Sequence, residues 1–479
     1  MLNQGIFEEK LVSLTHNTEV LSANQQTKGI LTADALIWQE NGEQRVLPLD
    51  DVVGASIAPS QTKDQMACFV VNAYPKRVLG RFSQKCRRVL QEYRFACPDT
   101  EARSRWIRAI HNTLRGVSVD GFQTAAPRRL QILLNPMSGK KKARSIFKRV
   151  RPLLEKSYLH FTVTETTGAG HAQEIVEKMA LEEFDGLVIV GGDGTIHEVI
   201  NGLISRIDWK AAIKKPIGAI PGGTGNGLCK TLLEISGEPY DPISAAFLIA
   251  KGKERPLDLA RVEQNGRRYY SVLSLSWGIV SDVDISSDKL RYLGSLKNHI
   301  YALMRIWSLR TYKGKFSFLP NPGWKPLTQV ECKPLDRCSS CSLALEGAIS
   351  DPTLSQLNQP IFQDSRWQVI EDEFVLFWAM NVVWAAHDMK ATPHAHLSDG
   401  AMDLLVVRRG ISKWQLLSAF LNISNGEHIS LSHVEYYKVR CFRLEPLTNR
   451  GILAVDGEEV DYSPVQMEVL RGLARVLCI

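Results

Sequence analysis

Leu187-Val188-Ile189-Val190-Gly191-Gly192-Asp193-Gly194-Thr195-Ile196-His197-Glu198-Val199-Ile200-Asn201-Gly202 holds two periodicities with a break between them. Leu187 to Val190 are uninterrupted apolar residues, the pattern of a strand buried on both faces. Ile196, Val199, Ile200 and Leu203 recur at helical spacing. The break is a glycine-rich turn. Strand, tight turn and helix start bring backbone N–H groups and the positive end of a helix to one place, which suits an anion. Asp193 stands inside that turn and would repel a phosphate if it faced one alone. It makes chemical sense facing a hydroxyl that must lose its proton, or a phosphate-bound Mg2+. Taken by itself, Gly-Gly-Asp-Gly also reads as an acidic turn between a core strand and a helix.

Three similar strand–loop–helix units surround it. Leu130 to Leu134 runs into Asn135-Pro136-Met137-Ser138-Gly139-Lys140, where Ser138 and Gly139 open a lysine-rich helix start. Phe161 to Thr166 leads into Thr167-Gly168-Ala169-Gly170 and a helix from His171 to Met179. Ile217 to Ile220 leads into Pro221-Gly222-Gly223-Thr224-Gly225-Asn226-Gly227 and a helix from Leu228 to Leu233. Such a row predicts a parallel α/β sheet with its ligand along the strands' carboxyl ends. No turn matches the dinucleotide pattern G-x-G-x-x-G or the Walker pattern G-x-x-x-x-G-K. Backbone amides, the Thr166 and Thr224 hydroxyls, Asn135 and Asn226 are therefore the expected nucleotide contacts.

The chain of 479 residues is too long for one core, so two or three domains are expected. Hydrophobic content of 44% and charged content of 23% are ordinary for a globular protein. A net charge of +7 permits phosphate ligands or an anionic membrane surface and demands neither; it is too weak to argue for nucleic acid. The cysteines are scattered, odd in number and follow no leader of basic then apolar residues, which suits a reducing, cytoplasmic compartment. Position 2 is Leu2 rather than the glycine that myristoylation uses, so no such anchor is expected. The longest apolar run, Phe374 to Ala386, is broken by Asn381 and falls short of the ~20 residues that a membrane helix needs. Any membrane contact is expected to be peripheral.

Residues 1–120 read as a separate module of short strand-like runs closed by one helix around Trp106, Ile107 and Ile110. That pattern resembles a pleckstrin-homology-like domain. Its basic cluster, Lys76, Arg77, Arg81, Lys85, Arg87 and Arg88, reads either as a grip on anionic lipid headgroups or as a solvated loop. Gly116 to Arg129 reads as a linker. From residue 255 the texture changes to strand-like runs, with a β-sandwich expected across 256–479. Within it, 320–368 is proline-rich and weakly periodic, and reads as a mobile insertion. Cys338 and Cys341 within it lack a second ligand pair for zinc, and no metal-ligating set is assigned among the protein side chains. Leu296, Ile300, Leu303, Met304 and Trp307 form a helical stripe that reads first as core.

Asn135-Pro136 before Gly139, Gly192-Asp193-Gly194 before His197-Glu198, and Gly223-Thr224-Gly225-Asn226 occur in order. Together they resemble the diacylglycerol kinase catalytic superfamily of lipid kinases over residues 128–479. Within it, Ser281-Asp282-Val283-Asp284 and the stretch that follows most resemble the long-chain-base, or sphingosine, kinases. The resemblance implies an α/β nucleotide-binding domain over 128–255 and a β-sandwich lipid-binding domain over 256–479. It implies ATP and Mg2+ as cofactors and a sphingoid base as substrate. Asp193 becomes the general base or hydroxyl-orienting group. Asn135, Pro136, Met137, Thr166, Thr167, Gly168, Ala169, Gly170, Glu198, Gly223, Thr224, Gly225, Arg291 and Lys297 become nucleotide contacts. So do Asp456, Gly457 and Glu458, in a hairpin turn that is otherwise only local. Lys297 departs from the arginine that the family commonly has there, leaving a point charge in place of a fork. Gly191, Gly192, Asp193, Gly194 and Asp284 line the substrate, with Asp284 facing its cationic amine and hydroxyl. The apolar helical stripe resembles the gate over an acyl-chain tunnel.

Two other readings stay open at this point. One is a ceramide or diacylglycerol kinase, for which Asp284 would matter little. The other is a membrane-recruited adaptor whose kinase part is inactive. An NAD kinase shares Gly-Gly-Asp-Gly but fits neither the Asn135-Pro136 loop nor the Asp282-Val283-Asp284 stretch.

Overall fold

The parallel sheet expected from the four strand–loop–helix units is present in the computed structural model, which describes residues 7–14, 27–40, 42–58, 67–78, 80, 86–119, 123–286, 297–320 and 366–479. The N-terminal part contains β1 (Phe7–Leu14), β2 (Thr27–Leu31), β3 (Ala35–Glu40), β4 (Glu43–Pro48), β5 (Val52–Ile57), β6 (Ala67–Ala73), β7 (Lys76–Val78), β8 (Cys86–Arg88), β9 (Gln91–Cys97) and α1 (Thr100–Leu114). β4-β3-β2-β1-β9-β6-β5 form one antiparallel sheet, and β7 with β8 a separate hairpin. Asp99 caps α1 by accepting from Ala102 N at 2.7 Å. Trp106 and Ile110 are fully buried, and the Trp106 indole stacks on Phe69.

The parallel-sheet part follows: β10 (Arg128–Leu134), α2 (Ala143–Lys156), β11 (Leu159–Glu165), α3 (His171–Lys178), β12 (Gly186–Gly191), α4 (Asp193–Ser205), α5 (Trp209–Ala212), β13 (Ile217–Pro221), α6 (Gly227–Ile235) and α7 (Pro242–Lys251). β11-β10-β12-β13 run parallel in that order. Val188, Ile189 and Val190 are buried on both faces of β12, as a central parallel strand requires. The four strands end together, so their loops converge at one edge.

The remainder contains β14 (Glu254–Gln264), β15 (Arg267–Ser271), β16 (Ser274–Gly278), α8 (Ile279–Ser286), α9 (Lys297–Trp307), β17 (Tyr312–Pro320), β18 (Gln368–Met380), β19 (Met402–Arg408), α10 (Lys413–Leu421), β20 (Glu435–Pro446), β21 (Leu453–Val455), β22 (Glu458–Val460) and β23 (Val465–Leu477). These strands pair antiparallel around buried Trp277, Phe316, Phe377 and Phe442. The sheet does not stop at residue 255. β23 pairs antiparallel with β14 and β20, and at Ile217–Val476 it lies parallel to β13. Lys438 is buried between Asp399 and Asp403, at 2.6 and 3.0 Å, which anchors the turn before β19.

Two expectations meet a different arrangement. Three described members of the N-terminal basic cluster, Lys76, Arg87 and Arg88, face the parallel-sheet part. Arg88 Nε and Nη2 donate to Glu238 at 2.8 and 2.7 Å, Arg88 Nη1 donates to Asp51 at 2.8 Å, and the guanidinium lies 3.6 Å over the Phe247 ring. Lys76 donates to Gly237 O at 2.8 Å, and Arg87 and Arg149 share Asp241. Arg77 bonds Gln91 at 2.8 Å, while Arg81 and Lys85 lie outside the described residues. Lys156 reaches Glu92, His111 stacks on Tyr158, and Lys251 donates to Leu49 O. Charges that sequence alone assigns to a membrane or to water thus fasten this module to α2, α7 and the turn after α6. Arg88→Ala leaves the Glu238 carboxylate, 2% exposed, without its main partner. The expected cost is about 3–5 kcal/mol of stability, measured by denaturant unfolding; a change under ~1 kcal/mol would show the interface to be loose.

The helical stripe on α9 is the second difference. Ala302, Arg305 and Ile306 are the buried residues, while Leu303, Met304 and Trp307 face outward, 41%, 56% and 53% exposed. The cause is Asp282 on α8: buried itself, it pairs with Arg305 and draws that face of α9 inward. Leu296 and the side chain of Ile300 lie outside the described residues, as do residues 321–365 of the expected insertion.

Candidate active site

The loops after β10, β12 and β13 press directly on one another. Gly222 N and Gly223 N donate to Gly191 O at 2.8 and 3.0 Å. Gly192 N donates to Ser138 Oγ at 3.1 Å, and Asn135 Nδ2 donates to Thr195 Oγ1 at 2.9 Å. Glycine is needed because backbone meets backbone. A Cβ on Gly223 would lie 2.4 Å from Gly192 Cα, and one on Gly227 would lie 2.3 Å from Trp384 O. Asn226 takes a left-handed conformation, φ 58°, and braces the last loop from inside. Its side chain accepts from Gly223 N at 2.8 Å and donates to Gly223 O and to Tyr240 Oη. The Tyr240 ring stacks on His387, whose backbone N donates to Gly225 O at 2.9 Å.

Asp193 opens α4, half-buried, and its carboxylate turns toward the start of α6. Oδ2 accepts from Gly227 N at 2.8 Å and Oδ1 from Leu228 N at 3.1 Å. The anion at this helix N-terminus is therefore the protein's own carboxylate. Each oxygen keeps a lone pair for a further donor. Burial pushes the Asp193 pKa up to about 6, against the pull of the Gly227 and Leu228 amides.

In the loop after β11, Thr166 is buried and its Oγ1 has no hydrogen-bond partner among the described residues. A buried hydroxyl left open beside converging backbone loops fits a ligand oxygen. Thr167, Gly168 and Ala169 are exposed beside it. Thr167 N donates to His171 Nδ1 at 3.0 Å, and Gly170 takes the left-handed turn, φ 77°, into α3. Glu198 Oε2 accepts from Ala172 N at 3.0 Å, so this carboxylate caps α3. Met137 N donates to Asn135 Oδ1 at 3.0 Å, which shapes the Asn135-Pro136-Met137 turn, and Thr224 is exposed at the rim.

The second half of the site comes from α8 and the β21–β22 turn. Asp282 is buried, paired with Arg305, and accepts from Tyr312 Oη at 2.5 Å. Asp284, two residues on, is exposed. A Cβ on Gly457 would lie 3.5 Å from Asp284 Oδ2, and one on Gly194 would lie 3.6 Å from Glu458 Oε1. The turn thus sits between the start of α4 and Asp284. Asp456 is committed inside the protein. Its carboxylate accepts from Ser271 Oγ at 2.7 Å, from Val272 N, Leu273 N and Ser274 N at 2.8 Å, and from His197 Nδ1 at 2.7 Å. Burial alone would raise the Asp456 pKa, but His197 and the other donors hold it below the ordinary value. Burial likewise pulls on His197, and the Asp456 carboxylate outweighs it and holds the imidazole above its usual pKa.

The sequence-derived set therefore divides. Asn135, Thr166, Gly191, Gly192, Asp193, Gly194, Gly223, Thr224, Gly225, Gly457, Glu458 and Asp284 converge. The Glu198 and Asp456 side chains hold other elements in place. Arg291 lies outside the described residues, and Lys297 begins α9 with its side chain outside them. Sequence reading gave no role to Thr195, His197, Asn201 and Tyr240, and took Ser138 only as a helix opener. Asp193, His197 and Asn201, at i, i+4 and i+8 along one face of α4, were a visible signal for two of them.

Comparisons agree with this geometry. The diacylglycerol kinase catalytic domain family matches residues 129–262, and the YegS C-terminal NAD kinase beta sandwich-like domain family matches residues 368–478. Sphingosine kinase 1 of Arabidopsis thaliana is 38% identical over 397 residues, covering 78% of this chain and 79% of its own. Sphingosine kinase 1 of Homo sapiens is 36% identical over 355 residues, covering 72% of this chain and 89% of its own. The crystal structure of a putative diacylglycerol kinase from Bacillus anthracis str. Sterne shares the fold, with TM-score 0.52 at 22% identity over 75% of this chain and 99% of that one. With its glycine loops, its Asp193 and its antiparallel second half, the chain belongs to the sphingosine kinase family of diacylglycerol-kinase-like proteins.

Proposed function

We infer that this protein is a lipid kinase that moves the γ-phosphoryl group of ATP to the primary hydroxyl of a sphingoid base. The observation that carries this reading is the placing of Asp193 between the glycine loops and the Gly457–Glu458 turn, with Asp284 on the far side of that turn. The Thr166 and Thr224 hydroxyls, the loop amides and Lys297 would hold the phosphates, joined by Arg291 by resemblance. Bound ATP supplies the phosphoryl group, and Mg2+ neutralises the charge that develops on it. Asp193 accepts the acceptor hydroxyl's proton, or orients that hydroxyl, through the lone pairs that α6 leaves open. Glu458 faces the same space from the turn. Asp284 pairs with the ammonium of the base.

The N-terminal module takes the pleckstrin-homology-like form; an antiparallel sheet closed by α1 with Trp106 in its core supports that reading. Residues 128–255 act as the nucleotide domain and 256–479 as the lipid domain. Among the described residues no helix is long and apolar enough to cross a membrane. The protein meets its lipid substrate peripherally. Outward-facing Leu303, Met304 and Trp307 on α9, with Trp307 packed edge-on to Trp414 of α10, support contact there.

The test is transfer of radiolabelled phosphate from ATP, offering sphingosine, phytosphingosine, ceramide and diacylglycerol side by side. Label on the two bases is expected. Label on ceramide or diacylglycerol alone would replace the substrate assignment, and label on none would leave the adaptor reading. Asp284→Asn is expected to lower kcat/KM for sphingosine about 30-fold, near 2 kcal/mol, while activity on a neutral lipid stays unchanged. Equal losses on both would remove Asp284 from amine recognition.

A further inference from the structure

One face of α4 carries Asp193, His197 and Asn201, one helical turn apart, and each bonds a different element. Asp193 accepts from the start of α6. Asn201 Nδ2 donates to Tyr270 O, and its Oδ1 accepts from Tyr270 N, both at 2.9 Å. His197, between them, donates from Nδ1 to Asp456 at 2.7 Å. The donor is fixed by chemistry: an ionised carboxylate only accepts, so Nδ1 carries the proton. Asp456 heads the turn that brings Gly457 beside Asp284 and Glu458 beside Gly194. Among the described residues, the His197–Asp456 bond thus ties α4 directly to the turn that spans both halves of the site.

We propose that His197 is a positioning residue for phosphoryl transfer, which sets the acceptor half of the site against Asp193 by holding Asp456. This deepens the kinase reading and rests on it. The bond is short, half-buried and separate from the groups that keep each half folded. Without the imidazole, Asp456 retains Ser271 Oγ and three consecutive amides, so the turn still forms. α4 also stays seated, through Asn201 and the fully buried Val199, Ile200 and Leu203. What is lost is the coupling between them. Phosphoryl transfer depends mainly on positioning, and a displacement of about 1 Å costs up to 100-fold.

Steady-state kinetics on the full chain tests this with His197→Ala and His197→Asn. Asparagine offers an N–H close to where Nδ1 stands, so it can renew the bond to Asp456. His197→Ala is expected to lower kcat for sphingosine about 10- to 100-fold, with KM for ATP within twofold and ATP-induced thermal stabilisation retained. His197→Asn is expected to recover most of that loss. Equal losses in both variants would overturn the proposal, because restoring the bond would then restore nothing. A loss confined to KM for ATP, or one matched by lost thermal stability, would overturn it too. Failure of the kinase reading is distinguishable, since the wild-type chain would then label no sphingoid base at all.

Discussion

Asp193→Asn is expected to abolish turnover, by at least 1,000-fold in kcat, while ATP still binds. Removal of a positioned acid–base group costs 100- to 10,000-fold in general. The amide cannot take a proton, and half of it is a donor. At Asp193 both carboxylate oxygens face N–H groups, from Gly227 and Leu228. Asparagine can satisfy one and must turn its own N–H2 on the other. A loss of about 1 kcal/mol in stability, the worth of a helix cap, should accompany the loss of rate. The wild-type pH profile carries the same information. Burial raises the Asp193 pKa to about 6, and the ionised form is the one that accepts a proton. The rate should fall as pH drops through about 6 and level above it. A variant retaining a tenth of wild-type activity would remove Asp193 from the chemistry.

Gly223→Ala should be nearly as damaging for a different reason. The added methyl meets Gly192 Cα at 2.4 Å and Gly192 N at 3.0 Å. Both are backbone, and Gly192 N is already held by Ser138 Oγ. No flexible side chain can yield, so the loops after β12 and β13 must part. Overpacking of this kind costs about 1–3 kcal/mol. The larger effect falls on the nucleotide: kcat/KM for ATP should drop about 100-fold as the loops lose register. Thermal unfolding and ATP titration check both parts. An unchanged KM for ATP would show that this crossing does not shape the nucleotide loops.

The parallel-sheet half was legible because its signals are local. An apolar run, a glycine turn and a 3.6-residue repeat lie side by side in each unit, and Leu187–Gly202 carries all three. The glycines were visible, but their reason was not. The turns suggest amides bared to an anion, whereas Gly192 and Gly223 are glycine because two backbones cross there. Long-range partners left no local trace. Nothing near Arg88 announces Glu238, and nothing near Asp456 announces His197. For the same reason the stripe on α9 pointed inward in sequence and outward in space: the choice was made by Asp282, on another helix. Asp282 and Asp284 looked alike in the chain, and only packing separates a buried ion pair from an exposed acid.

The strand exchange at β13 reaches into how the chain is made. The parallel sheet emerges from the ribosome early, yet its flank beside β13 is met at Ile217–Val476 by β23, which begins only at Val465. Until then that flank stays uncovered, in the state most prone to stray pairing. A premature stop a few codons before Val465 would therefore strike the parallel-sheet half as well as the antiparallel one, although every residue of its loops had been translated.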